Sequence, residues 1–442
     1  MRAPAKRLAA AVVSAAALGA LLPAAAASAA PAAHAPGEVI VRLEGQRVSR
    51  TLDLPPGVGV GQATAALRRN PAVSYAVPNY IATASVLPND SGSLRNSRPR
   101  GWVRRQWNFL PCGSLCAGGG RRVAHQSRGG INVVSAWRHA NAAKHPGGAG
   151  VTVAVLDTGV AYRSLGRRFR RSPDFRASQF VPGHDFVGHD ALPLDDNGHG
   201  THVAGTIGEA TFNRIGLTGI AYGAKLMPVR VLNQLGRGKA DTIARGIRFA
   251  ATHGADVINM SFNFACRVPV PDVTKALRFA HRRGIVLVAS VGNEGSEICV
   301  SPPATEPHVI GVGGTTEGAC LGWYSLTGEK VDLVAPGGGF RSSLPCSDES
   351  ARPVLQVTLR PGSTNLFGIP RDYVGTSMSA AHVAGAAALI LADRRILGRS
   401  PDPDGVTARL ESTARDLGAP GPDPAYGAGL IDAGAANDPS VR

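Results

Sequence analysis

At 442 residues the chain exceeds a typical single domain, but parallel α/β proteins reach this length around one core, so one large domain with smaller flanking segments is expected. Its residues are 44% hydrophobic and 18% charged, which excludes a globally disordered chain. Lys and Arg number 47 against 31 Asp and Glu, a formal charge of +16, but no zinc finger, RNP-like strand or basic zipper accompanies the excess, so no specific nucleic-acid partner is expected.

Arg2, Lys6 and Arg7 precede an apolar run over 8–22 and the small residues Ala27-Ser28-Ala29. That order is the layout of a secretory signal, so residues 1–29 are read as a signal peptide and the mature chain as secreted and extracellular. The run is Ala-rich, is followed by Pro23 and is too short for a bilayer core of ~30 Å. No second segment of membrane length follows, so no membrane association is expected after signal cleavage.

Residues 30–86 read as a small separate unit: Glu38-Val39-Ile40-Val41-Arg42-Leu43 alternates as a strand does, and 61–70 has a helical pattern. Leu87-Pro88-Asn89-Asp90-Ser91-Gly92 is turn-rich and is predicted to be an exposed boundary loop, open to cleavage. Between Ser91 and Arg128 the chain carries Arg95, Arg98, Arg100, Arg104, Arg105, Arg121, Arg122 and Arg128 without an acid, a solvated basic segment.

Beyond Gly150, residues 151–156, 225–231, 255–260, 285–289 and 309–312 are near-continuously apolar, as strands covered on both faces are. Residues 241–253 and 273–283 fit crossover helices between them. The alternation predicts a three-layer α/β/α fold with a mostly parallel central sheet over 87–442, preceded by a small α+β unit over 30–86. Six cysteines in an exported chain favour disulfides and allow 15 connectivities. Pairing between sequence neighbours is the expectation: Cys112 with Cys116, Cys266 with Cys299, and Cys320 with Cys346.

Three segments combine a reactive side chain with small residues: Asp157-Thr158-Gly159, Gly198-His199-Gly200-Thr201-His202, and Gly375-Thr376-Ser377-Met378-Ser379. Asp157 ends an apolar strand, so its carboxylate belongs at the carboxyl edge of the sheet, where it can orient a histidine. His199 and Ser377 each open a helix, and a serine hydroxyl becomes a nucleophile only when a base takes its proton. In Val291-Gly292-Asn293-Glu294-Gly295 a side-chain amide can donate to a developing oxyanion. Each segment alone is also an ordinary cap or turn. Their order, Asp then His then Ser, is one of the known triad orders.

These blocks resemble the signatures of the subtilisin-like serine proteases, and the likeness runs from Gln106-Trp107 to Tyr426-Gly427-Ala428-Gly429-Leu430-Ile431-Asp432-Ala433. The resemblance implies a secreted serine endopeptidase that hydrolyses peptide bonds of protein or peptide substrates through an acyl-enzyme. It makes Asp157 the orienting acid, His199 the general base, Ser377 the nucleophile, and Asn293 with the Ser377 N–H the oxyanion hole. Ser377 holds the nucleophile register over Ser379, and His199 the base register over His202. It further implies a substrate edge at Ser261, Phe262 and Asn263 beside Gly292, to which the peptide adds as a strand. The family's usual Gly is Asn263 here, and Ser290-Val291 replaces smaller residues, so a preference for modest P1 residues is expected.

The 30–86 unit, ending in Val77-Pro78-Asn79-Tyr80-Ile81, resembles the family's propeptide, an intramolecular inhibitor removed by self-cleavage near 81–87, with Arg104-Arg105 as the alternative processing site. A monomer is expected. Many family members bind calcium just before the histidine block; here Asp185 and Asp190 match, but Gly188, Leu192 and Leu194 replace oxygen donors. A structural calcium is therefore doubtful and no cofactor is required. The competing functions are a catalytically silent binding protein on the same fold, and a peptide ligase using the same acyl-enzyme.

Overall fold

Near-continuous apolar strands need cover on both faces, and the computed structural model of the chain supplies it with helices. It describes residues 34–46, 49–80, 88–95, 101–113, 116, 126–295, 299–346, 350–393 and 402–441. The signal segment 1–29, the maturation region 81–87, and Arg98, Arg100, Arg121 and Arg122 lie outside these residues. The chain divides into two units, Met1–Val86 and Leu87–Arg442.

In the first unit, strands β1 (His34–Leu43), β2 (Arg50–Asp53) and β3 (Val73–Tyr80) form an antiparallel sheet ordered β2-β1-β3. Helix α1 (Val60–Arg68) presents Val60, Ala63 and Leu67, spaced for one helical face, to Val39, Val41 and Ala76. Pro78, which cannot donate to a ladder, lies on the edge strand β3.

In the second unit, helix α2 (Val133–Ala142) precedes β4 (Thr152–Asp157), β5 (His184–Asp185), α3 (His199–Gly208), β6 (Lys225–Arg230), α4 (Ala240–Thr252) and β7 (Val257–Met260). Then come α5 (Pro271–His281), β8 (Val286–Ser290), β9 (Val309–Thr315), β10 (Leu333–Pro336), the hairpin β11 (Thr358–Leu359) and β12 (Phe367–Gly368), α6 (Thr376–Ala392), α7 (Pro403–Ser412) and α8 (Ala433–Ala436). Among the described residues, seven strands form one sheet ordered β10-β9-β8-β7-β4-β6-β5, every pair parallel.

Helix α3 packs on α6 and α4 on α5, giving the three expected layers. Helix α6 is buried along its whole length, which is why its sequence is apolar all round instead of striped. The five anticipated strands form within three residues of their expected bounds; β5, β10 and the hairpin are additional.

The segment expected as an exposed boundary loop is different. Asp90 is fully buried and accepts the N–H groups of Phe212 and Asn213, while Gly92 N donates to Gly216 O. Its polar residues satisfy backbone groups of a neighbouring loop, so a turn-rich composition here marks a tether inside the second unit. The three disulfides pair sequence neighbours as anticipated, Cys112–Cys116, Cys266–Cys299 and Cys320–Cys346.

Candidate active site

Parallel strands bring their carboxyl ends to one edge of the sheet, and β4, β7 and β8 end there at Asp157, just before Ser261, and just before Gly292-Asn293. The fully buried Asp157 accepts the Thr158 N–H at 2.7 Å and the His199 Nδ1–H at 2.8 Å, both on Oδ1. Among the described residues its Oδ2 has no hydrogen-bond partner. Gly200 permits this approach, because a Cβ there would lie 2.1 Å from the Gly159 carbonyl oxygen.

His199 sits at the first turn of α3, and that turn is held by Asp195. The buried Asp195 carboxylate accepts the N–H groups of Asn197, Gly198 and Thr201 and the hydroxyls of Thr158 and Thr201. Asp195 and Thr158 were not singled out from the sequence, because their role arises only when the β4 end meets the α3 start. The His199 imidazole is about a quarter exposed, at 26%. Burial disfavours its charged form, but the Asp157 charge and hydrogen bond, with the charge of Asp195 behind them, carry its pKa above the ordinary 6.5.

Ser377 occupies the first turn of α6, 8% exposed, and its Oγ donates to the Ser261 carbonyl at 3.1 Å. Ser261 Oγ in turn donates to the Ser377 carbonyl at 2.8 Å. Among the described residues no hydrogen bond joins His199 to the Ser377 hydroxyl. The Asn293 Oδ1 accepts from Thr376 N at 2.8 Å and Thr376 Oγ1 at 2.9 Å, and among the described residues its Nδ2 donor has no partner. Gly375, at φ +148°, turns the chain between Asn293 and the helix, where a Cβ would stand 3.1 Å from Asn293 Oδ1.

Ser261, Phe262 and Asn263 continue beyond β7 outside any ladder, with Ser261 and Phe262 buried. Asn263 Nδ2 donates across to Glu294 Oε1 at 3.2 Å, linking this segment to the Gly292–Gly295 turn. The Cys266–Cys299 bond ties the same two segments further along.

The two decoys are internal. Ser379 is fully buried. His202 is fully buried, its Nε2 lies 3.2 Å from Val354 O, and its ring stacks on Tyr373 at 4.0 Å. Burial, then the neighbouring His199, depress its pKa to about 3, so it stays neutral.

The acids expected from the family's calcium pattern have other partners. Asp185 Oδ1 accepts the N–H groups of Val187 and Gly188, and its Oδ2 pairs with Arg230 Nη1 at 3.0 Å. Arg230 also clasps Asp196 through Nη2 at 2.7 and 2.9 Å. A guanidinium already neutralises Asp185 and Asp196, Asp190 Oδ1 accepts the Leu192 N–H, and Gly188, Leu192 and Leu194 offer no side-chain oxygen toward the six to eight a calcium ion takes, so the residues do not fit the ion.

One surface group among the described residues has metal-type ligand atoms within 4.8 Å of one another, His281, His308 and Asp404. The two imidazoles stack at 3.8 Å with 15° between their planes, and His281 Nε2 and His308 Nδ1 lie 3.0 and 3.5 Å from the same Asp404 Oδ1, so the three side chains already satisfy one another.

The sequence profile of the subtilase family, peptidase S8, matches residues 148–429. The thermophilic serine proteinase of Bacillus sp. (strain AK1) is 32% identical over 330 residues, which is 75% of this chain and 66% of that protein, just under two thirds of its length. Subtilisin BL of Lederbergia lenta is 36% identical over 296 residues, 65% of this chain and 91% of the relative. Among solved structures, the proteases from Pseudoalteromonas arctica PAMC 21717 are similar with a TM-score of 0.61 and 29% identity, over 80% of this chain and 99% of that one. The profile and the near-complete span of subtilisin BL agree with the sheet and its edge: the chain belongs to the subtilase family and is a subtilisin-like serine peptidase.

Proposed function

We propose that the chain is a secreted serine endopeptidase working through an acyl-enzyme on Ser377. The observation that carries this reading is the 2.8 Å bond from His199 to the buried Asp157, made at the sheet edge where Ser377 and Asn293 also arrive. Ionised Asp157 accepts from Nδ1 and leaves Nε2 as the basic nitrogen. In the resting enzyme the Ser377 hydroxyl rests on the Ser261 carbonyl; turning about χ1 on substrate binding brings it to His199 Nε2, since catalytic hydrogen bonds tighten in the Michaelis complex.

His199 takes the hydroxyl proton as Oγ attacks the carbonyl carbon. The oxyanion meets Asn293 Nδ2, whose direction Thr376 sets, and the Ser377 N–H, an unpaired amide of the first turn of α6. The protonated imidazole then donates to the leaving amine, and water repeats the sequence on the acyl-enzyme. The peptide's acyl side lies along Ser261, Phe262 and Asn263, and the Asn263–Glu294 link between the pocket's two sides supports a preference for modest P1 residues. Efficient cleavage after Phe or Tyr overturns that preference.

The reading includes the signal peptide over 1–29 and the 30–86 unit as propeptide, and it needs no calcium at Asp185. Hydrogen exchange of 185–198 that a chelator leaves unchanged supports the latter; loss of protection on chelation refutes it. The test of the whole is twofold. A fluorophosphonate labels the wild type and not Ser377→Ala, and N-terminal sequencing of secreted protein finds the wild type matured and Ser377→Ala unprocessed. Equal labelling of both proteins sinks the assignment and leaves the silent binding protein; added amine captured into product identifies the ligase.

A further inference from the structure

The loop that leaves β4 carries Arg163, Arg167, Arg168, Arg170 and Arg171 within nine residues and no acid. All five are exposed, and among the described residues none pairs with a carboxylate. The loop is bound to the β11–β12 hairpin: Arg170 N donates to Thr364 O at 3.2 Å, Thr364 Oγ1 to Arg168 O at 2.5 Å, and Asn365 Nδ2 to Arg167 O at 3.0 Å. The hairpin arm 358–373 adds exposed Arg360 and Arg371, against the single acid Asp372.

This surface adjoins the site covalently on two sides, since the loop begins six residues after Asp157 and the arm ends four before Ser377. The hairpin also touches the histidine turn. Thr358 Oγ1 donates to Gly198 O, and the Tyr373 ring stands 6.5 Å from that of His199. His199 delivers its proton to the leaving amine, so a surface beyond His199 faces the leaving-group half of a substrate; Ser261–Asn263 takes the acyl half.

We propose that loop 163–171 and the hairpin arm form an exosite that binds an acidic stretch of protein substrate on the carboxyl-terminal side of the cleaved bond. Uncompensated guanidinium groups beside a cleft attract and orient carboxylates. A nucleic acid is the weaker occupant: of the rings on this surface, Phe169 is half-buried with Arg168 over it, Tyr373 is stacked on His202 and Phe367 is half-buried, so no fully exposed ring offers a stacking platform for bases.

The inference rests on the endopeptidase reading, and its test separates the two. Peptides share one acyl-side sequence and carry no tail, a Gln tail or a Glu tail on the leaving side, and kcat/KM is measured on the full mature enzyme at low and high salt. The Glu tail is expected to be favoured about tenfold at low salt, carried by KM, and to lose that advantage at high salt, as several exposed ion pairs would. In Arg167→Gln/Arg168→Gln/Arg171→Gln the Glu and Gln tails converge while the tail-less peptide is cleaved as before. Equal Glu and Gln rates in the wild type, or a Glu preference that survives the triple variant, overturn the exosite alone. An oligonucleotide that binds where Glu tails give no advantage replaces it with the other occupant. A wild type that cleaves none of the peptides defeats the endopeptidase reading itself.

Discussion

A general base works only while its acceptor nitrogen is free of a proton, so on the proposed mechanism the raised pKa of His199 sets the lower limit of useful pH. The rising limb of kcat/KM is expected above pH 6.5, the ordinary imidazole value, and Asp157→Asn should reduce the rate about 10⁴-fold and move the residual limb downward. A limb at or below 6.5 in the wild type contradicts the Asp157 contact as its cause. The same contact bears on folding. A proton held more tightly by the folded imidazole stabilises fully below the unfolded pKa, and that contribution disappears as pH climbs through the folded one. At this scale the candidate residues Asp157, His199, Asn293 and Ser377 were legible because each lies in a short stretch of chain with glycines, whereas the roles of Asp195, Thr158 and Tyr373 were silent. Thr158 and Tyr373 take their meaning from partners 37 residues away or more, as in the Thr158–Asp195 and His202–Tyr373 contacts, and Asp195 joins its own turn to the end of β4 through the first of these.

Between elements, Arg230 at the end of β6 joins β5 to the turn before α3 through Asp185 and Asp196. The Arg230 side chain is 13% exposed and that of Asp185 3%, so removing the cation strands buried negative charge. Arg230→Met is expected to lower unfolding free energy by about 3–5 kcal/mol, measured by denaturant titration, and added calcium should fail to restore it. Restoration by calcium would mean the site accepts the ion after all. The sheet's central strands were readable from their unbroken apolar runs, which burial on both faces produces. Strand β10 is four residues ending in Pro336, and each strand of the hairpin is two residues whose burial depends on the histidine turn, so no period could mark them. Asp90 misled in the opposite direction, as a polar residue in turn-rich sequence that is wholly enclosed.

At the scale of the molecule, the two units carry separate cores, and only the second holds the candidate machinery. What composition could not convey there is the placement of charge: the basic stretch 95–128 drew notice for its length, yet the arginines that border the site come from a shorter run after Asp157. The three disulfides also differ in reach, with Cys266 and Cys299 lying 33 positions apart in the chain. Closing a loop of that size is worth about 3–4 kcal/mol, so Cys266→Ser/Cys299→Ser is expected to melt several degrees lower, by calorimetry. Because this bond straps together the chain after Asn263 and the chain after Gly295, on the proposed function it would also act as a hoop around the specificity pocket. Mild reductant should therefore loosen selectivity before it unfolds the enzyme: bulky aromatic side chains gain entry while the melting curve still reports a native protein. An oxidising exterior would in that sense keep the protease discriminating as well as intact.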